Sequence, residues 1–309
     1  MKRKRLAWQG RRRRHYPTQQ PPVCRQDRND HQRQRHDPDA SYSRNKVNGD
    51  FASVTKQNST QAAVNAGVNR AKYKKHYCEG CTLMTTYKLE FRHRPKFSES
   101  IEKRHKNFLE KLSGLGKPWD LAGAVEVPDI EDELVISVSL DKFLPKGIKG
   151  RVTYSLRNEK YLEDNAQFDD SLFFELSNVE IDYSDLLKII FPAYVSSFGA
   201  YRAALHDWSV TRSDWPAVVA ACDATKKDVN GRDGVFRISA VNYFDGELCL
   251  RAFGKSPQQI ISCLKGHVEE ASELAGGVLI VVSYTPLSTS EINTAGELLR
   301  KLLVGDLAG

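Results

Sequence analysis

Hydrophobic and polar residues first alternate regularly near Thr85. Tyr87, Leu89, Phe91 and His93 interleave with Lys88, Glu90, Arg92 and Arg94, the period-two signature of a half-buried strand, and Pro95 ends the run. Ile101, His105, Phe108, Leu109 and Leu112 then recur at helical spacing up to Gly114. Leu134 to Leu140, Val152 to Leu156 and Leu172 to Ile181 read as further strands. Tyr183 to Leu205 reads as a helix that Pro192 breaks or kinks, and Asp214 to Lys226 as a short helix with Pro216 in its first turn.

Towards the C-terminus the pattern predicts strand, strand, helix, strand, helix. Val235 to Phe244 and Glu247 to Phe253 flank Asp245-Gly246, a dipeptide suited to a two-residue hairpin turn. Ser256-Pro257 supplies an N-cap and first helical residue for a stripe of Ile260, Ile261, Leu264, His267, Val268, Ala271 and Leu274, which Gly276-Gly277 closes. Val278 to Tyr284 is a short apolar strand, and Ser288-x-x-Glu291 is a capping box for the last helix. Strands and helices mix without a regular βαβ alternation. The expected fold class is therefore α+β, a largely antiparallel sheet with helices packed on one face.

Charge divides the chain where the pattern does. Residues 1–75 hold 19 Lys and Arg against 5 Asp, whereas residues 76–309 hold 27 against 34 acids, so the total of +7 describes neither part. With almost no aliphatic periodicity, the N-terminal segment cannot offset its conformational entropy by burial, and disorder is expected. The expected organisation is a disordered basic segment, 1–83, and an acidic α+β domain, 84–309, with a division into two subdomains near 205–214 as a further option. Met84 directly precedes the first strand and is the only methionine besides Met1, which raises it as an alternative start.

Six cysteines in 309 residues, three of them in apolar surroundings of the body, suit reduced thiols. The apolar run Val278 to Val282 is far short of a membrane span, and Arg11 to Arg14 leave no room for a secretory signal's apolar core. A cytoplasmic protein without a membrane segment is expected.

Candidate chemistry is sparse. Cys78-x-x-Cys81 with His76 fits half of a tetrahedral zinc site, but the next histidines, His93 and His105, lack the spacing that would complete it. Gly114-Leu-Gly116 follows a helix, where a dinucleotide loop must follow a strand. Asp228 to Gly234 departs from the calcium-loop register, and Ser262-x-x-Lys265 has no accompanying motif. His206-Asp207 and His267 with Glu269 and Glu270 are neighbours in sequence only, and His267 reads as a core histidine. No catalytic residue, cofactor site or metal site is assigned, and an enzyme is not expected. What remains is surface charge: Asp129, Glu131, Asp132 and Glu133, then Glu163 and Asp164 with Asp169 and Asp170, and Glu180, Asp182 and Asp185 as a third group. Such acids steer encounters with a basic partner.

The opening strand Thr86-Tyr-Lys-Leu-Glu-Phe-Arg-His-Arg-Pro95 and the late Gly276-Gly-Val-Leu-Ile-Val-Val-Ser-Tyr-Thr-Pro286-Leu resemble parts of bacterial immunity proteins that protect against polymorphic toxins. The resemblance implies a non-catalytic binding protein that masks a toxin, with the acidic residues above meeting a basic toxin surface. The alternative is a nucleic-acid-associated protein acting through the arginine arm, Arg11, Arg12, Arg13 and Arg14.

Overall fold

Every ladder of the main sheet is antiparallel. The computed structural model describes residues 81–82, 87–121, 135–157, 168–177 and 179–304. His76, Cys78, Asp129, Glu131, Asp132, Glu133, Glu163, Asp164 and Arg11 to Arg14 lie outside them, and of Cys81 only the backbone is described.

In chain order the elements are β1 (Cys81–Thr82), β2 (Tyr87–His93), α1 (Ile101–Lys111), β3 (Val135–Ser139), β4 (Ile148–Ser155), β5 (Asp170–Leu176) and β6 (Glu180–Ile181). A helical stretch follows, α2 (Tyr183–Asp185), a π-helical turn (Leu186–Ile190) and α3 (Phe191–Phe198). Then come β7 (Arg202–Asp207), α4 (Trp208–Thr225), β8 (Val241–Asp245), α5 (Gly246–Phe253), α6 (Pro257–Leu264), β9 (Glu270–Leu274), β10 (Gly277–Val281) and α7 (Thr289–Val304). Eight strands form one sheet in the order β3-β4-β5-β2-β7-β8-β10-β9, and β1 pairs separately with β6. The α+β antiparallel architecture is thus as the pattern implied. The boundary considered near 205–214 falls where β7, a central strand, passes into α4.

The helices divide between the two faces, which corrects the expectation of one covered face. Leu89, Phe91, Phe174, Leu205 and Val281 point into a core closed by α1 and α3. Phe244, Val278 and Ile280 point the other way, into a second core with Leu248, Ile260, Leu299 and Leu303 of α5, α6 and α7. The cause is local: every residue of β10 is buried, so that strand needs cover on both sides. Over β3, β4 and β5 the second face is different. Ser137, Ser139, Lys149 and Arg151 are exposed there, and Phe173 and Glu175 are half-buried.

Three predicted elements change type, each for a visible reason. Asp245-Gly246 is a helix start: the Asp245 carboxylate accepts from the Leu248 N–H at 2.7 Å, and Gly254 in the left-handed region ends α5. Helix α6 begins as expected, with Ser256 and Gln259 completing a capping box. Gly266, at φ +82°, follows its end and lets the chain turn into β9, so the apolar stripe does not reach Leu274. The two-residue hairpin joins β9 to β10 instead, through Ala275 and Gly276 at φ +47° and +77°. A left-handed alanine costs about 1 kcal/mol. Ala275→Asn is accordingly expected to raise stability by about 0.5–1 kcal/mol in urea unfolding.

Pro192 neither breaks nor ends its helix. The five residues before Phe191 widen into the π turn, which loosens the backbone where the proline ring would meet the Lys188 carbonyl. The helix ends at Gly199, and the remainder of the expected helix becomes β7. Ser288 and Glu291 cap the last helix reciprocally, as the sequence indicated. Cys222 and Cys249 are buried, Cys263 is half-buried, and all three are free thiols. Among the described residues no helix is long and apolar enough to cross a membrane.

Candidate functional site

The uncovered face carries an ordered row of side chains. Strand pairing sets Arg151 of β4 directly against Phe173 of β5, and Phe173 against Glu90 of β2. Lys88, two residues before Glu90, lies diagonally across from Phe173, where long side chains still reach one another. Its ammonium sits 5.4 Å from the Phe173 ring centroid and 3.4 Å from that of Trp208, the first residue of α4. Arg151 reaches the other side of the row, 5.9 Å from Phe173, and Arg212 lies 5.9 Å from Trp208. The order is Arg151, Phe173, Lys88, Trp208, Arg212: cations alternate with rings from β4 across to α4. Each contact is worth about 0.5–1 kcal/mol where exposed and more where water is excluded. Burial lowers the Lys88 pKa, against the pull of Glu175 and Glu90.

Beside Lys88 the row meets a second motif. His206 of β7, paired with Lys88 in register, places Nε2 3.3 Å from Glu90 Oε2 and Nδ1 2.7 Å from Thr211 Oγ1. Burial pushes the Glu90 carboxyl up, but the hydrogen bond and charge of His206, then Arg92 and Arg202, outweigh it and hold the group at about 2. Carboxylate, imidazole and hydroxyl in a line can activate a nucleophile. The adjoining cavity, between Tyr87, Arg237 and Ile292, is ≈ 30 Å³, enough for one or two waters. Thr211 Oγ1 also lies 3.2 Å from the Asp207 carbonyl one turn back, so the motif anchors the start of α4.

Asp169 and Asp170, expected on the surface, are inside. Asp170 is fully buried and accepts from Arg104 Nε at 3.0 Å and from Arg157 Nη1 and Nη2 at 2.9 and 2.8 Å. Asp169, 8% exposed, takes Arg92, Arg232 and the Tyr201 hydroxyl. Neither can meet a partner surface. The correction has a simple reason: four arginines far apart in sequence converge on two adjacent acids where β5 begins. Glu180, Asp182 and Asp185 are exposed, with Asp182 capping α2. Ser262, Lys265 and His267 are exposed, which overturns the core reading of His267, and Asp228 to Gly234 is a polar turn.

His93, Glu99 and Asp170 bring three possible ligand atoms within 4.8 Å of one another. They do not fit a cation, because Arg104 and Arg157 already occupy both carboxylates and supply the positive charge there. The group is an ionic clamp. Burial raises the Glu99 carboxyl, but His93 and Arg104 more than reverse this and bring it to about 2.

Comparison with known proteins adds little. No family model matches the chain, and no curated protein does. Among solved structures it is similar to a T6SS protein of Pseudomonas aeruginosa, PA0821, at 10% identity and a TM-score of 0.44, over 71% of this chain and 73% of that one. A likeness this loose transfers no residue and no role.

The two low carboxylates set an acid limit. Both have folded pKa values below the ordinary 4.5, so their stabilisation is complete above that value and is lost as pH falls towards about 2. Stability from urea midpoints should therefore drop between pH 4.5 and about 2. In a Glu90→Gln, Glu99→Gln variant that limb should be shallower and stability at pH 7 lower; an unchanged limb would contradict these pairings.

Proposed function

We propose that this chain is a binding protein of immunity type, which neutralises a toxin-like protein by occupying it. One observation carries the reading. The half-sheet β3-β4-β5 leaves the part of one face around Ser137, Ser139, Lys149 and Arg151 exposed, and an ordered row of cations and aromatic rings crosses it. A row held in place by mutual contacts is preorganised, so little side-chain entropy is lost on binding. Aromatic residues and arginine are also the types that dominate binding energy at interfaces. The chemistry-bearing groups next to the row support the same reading, since the Glu90 carboxylate, the His206 ring and the Thr211 hydroxyl spend their hydrogen bonds on one another.

The test is protection. The full chain and its Lys149→Glu, Arg151→Glu variant are tagged and recovered from the native cell, and proteins retained by the first alone are expressed by themselves. The expected result is a protein whose expression arrests growth, and whose effect co-expression of the unaltered chain relieves. Relief that persists undiminished with the variant, or a retained protein that is harmless, would contradict the proposal.

A further inference from the structure

The uncovered face has a charge that the whole body does not. Lys149, Arg151 and Arg212 are exposed there, with Lys88 between the two rings. The arginines elsewhere are mostly spent: Arg92, Arg94, Arg104, Arg157, Arg232, Arg237 and Arg251 each hold a carboxylate. Among the described residues Lys149, Arg151 and Arg212 make no ion pair. Two acids share this stretch of face: Glu175, set opposite both Lys149 and Lys88, and Glu90, set opposite Phe173 and held by His206. A body with an acidic surplus thus keeps three unpaired cations, Lys149, Arg151 and Arg212, beside the aromatic row of this face.

We infer that this face receives an acidic segment of the partner protein, one bearing Asp or Glu at alternate positions. The inference rests on the binding-protein reading and names the chemistry of its contact. Lys149 and Arg151 are two residues apart on one strand, roughly 7 Å, the spacing of alternate side chains on an extended segment. Guanidinium groups match carboxylates in a two-pronged geometry, which favours Arg151 and Arg212 as the specific contacts. The net acidity of the body does not cancel this attraction, because charges more than about 8–10 Å away are screened at physiological salt. Nucleic acid would need free ring faces on which to stack bases. Here Lys88 lies over both rings, and Arg151 and Arg212 flank them. The expectation of a basic partner drew on Asp129, Glu131, Asp132 and Glu133, which lie outside the described residues, and on Asp169 and Asp170, which are buried; the contact inferred here has the opposite sign.

The experiment uses the full chain and a dye-labelled Glu-Ser repeat peptide of about ten residues, about 33 Å when extended, with a Gln-Ser peptide as the neutral control. Fluorescence anisotropy should show binding of the acidic peptide only, weakening as salt rises. Lys149→Glu, Arg151→Glu should weaken it about tenfold or more. Arg11–Arg14→Ala, which alters the basic arm, should change it by less than about twofold. Should the charge-reversed chain melt early, Lys149→Gln, Arg151→Gln replaces it with a smaller loss in the same direction. Equal affinity of the face variant, loss in the arm variant, or tighter binding of an oligothymidylate through the same two residues would each overturn the inference. If peptide binding ignores the face variant while growth protection still depends on it, this inference alone fails. If the peptide binds through the face but no growth-arresting protein is recovered, the immunity reading alone fails.

Discussion

Replacing Asp170 by alanine should cost about 3–5 kcal/mol of stability, among the largest effects expected of any single substitution in the chain. The carboxylate is fully buried and answers two guanidinium groups that are themselves 9% and 10% exposed. It also accepts from the Ser155 N–H at 3.1 Å. Removing it leaves the Ser155 N–H without its acceptor and two buried cations sharing the single carboxylate of Glu99, so that repulsion between Arg104 and Arg157 is only partly offset. Asp170→Asn keeps one acceptor oxygen and should cost clearly less. Urea unfolding at pH 7 measures both; a loss below about 1 kcal/mol for Asp170→Ala would mean that water compensates the arginines and the clamp is looser than its geometry.

Tyr194→Ala should be nearly as damaging, about 3–5 kcal/mol. Tyr194 is buried at the centre of the first core, with its ring 5.2 Å from Phe174, 5.8 Å from Phe91, 6.1 Å from Phe108 and 6.2 Å from Trp119. These come from β5, β2, α1 and the turn after α1, so the cavity left behind has walls belonging to separate elements that cannot all move in to fill it. The hydroxyl contributes separately, donating to the Trp119 carbonyl at 2.8 Å. Tyr194→Phe isolates that bond and should cost only about 1–2 kcal/mol. If the phenylalanine variant lost as much as the alanine one, the hydrogen bond and not the packing would dominate this core.

The elements that were legible in the sequence are those whose signal is local. The Tyr87 to His93 alternation, the Ile101 to Leu112 stripe, and the Ser256 and Ser288 caps each state their structure within one or two turns of chain. The misread elements needed distant information. Asp245-Gly246 suits a hairpin and a helix start equally well, and what selects the helix is the second core waiting for Leu248 and Phe253. His267 continues a helical stripe on paper, but Gly266 has already turned the chain towards β9.

The site was less legible than the fold. Asp169 and Asp170 look like any exposed acid pair until Arg92, Arg104, Arg157 and Arg232 are brought to them from both sides in sequence. The row on the bare face was hidden for the same reason. Arg151, Phe173, Lys88 and Trp208 occupy polar-side positions of four different segments, and only strand order makes them neighbours. A usable signal was present in one respect: Phe173 falls on the solvent-side phase of its strand, where an aromatic residue asks for a reason.

Site-specific photocross-linking from the bare face tests the central claim most directly. A photoreactive residue is placed in the full chain at Ser139, exposed on β3 beside Arg151, or at Ser262, exposed on α6, and irradiated in the native cell. The account predicts a discrete protein adduct from position 139 and none from position 262. A protein adduct from position 262 alone, or a nucleic-acid adduct from position 139, would contradict it.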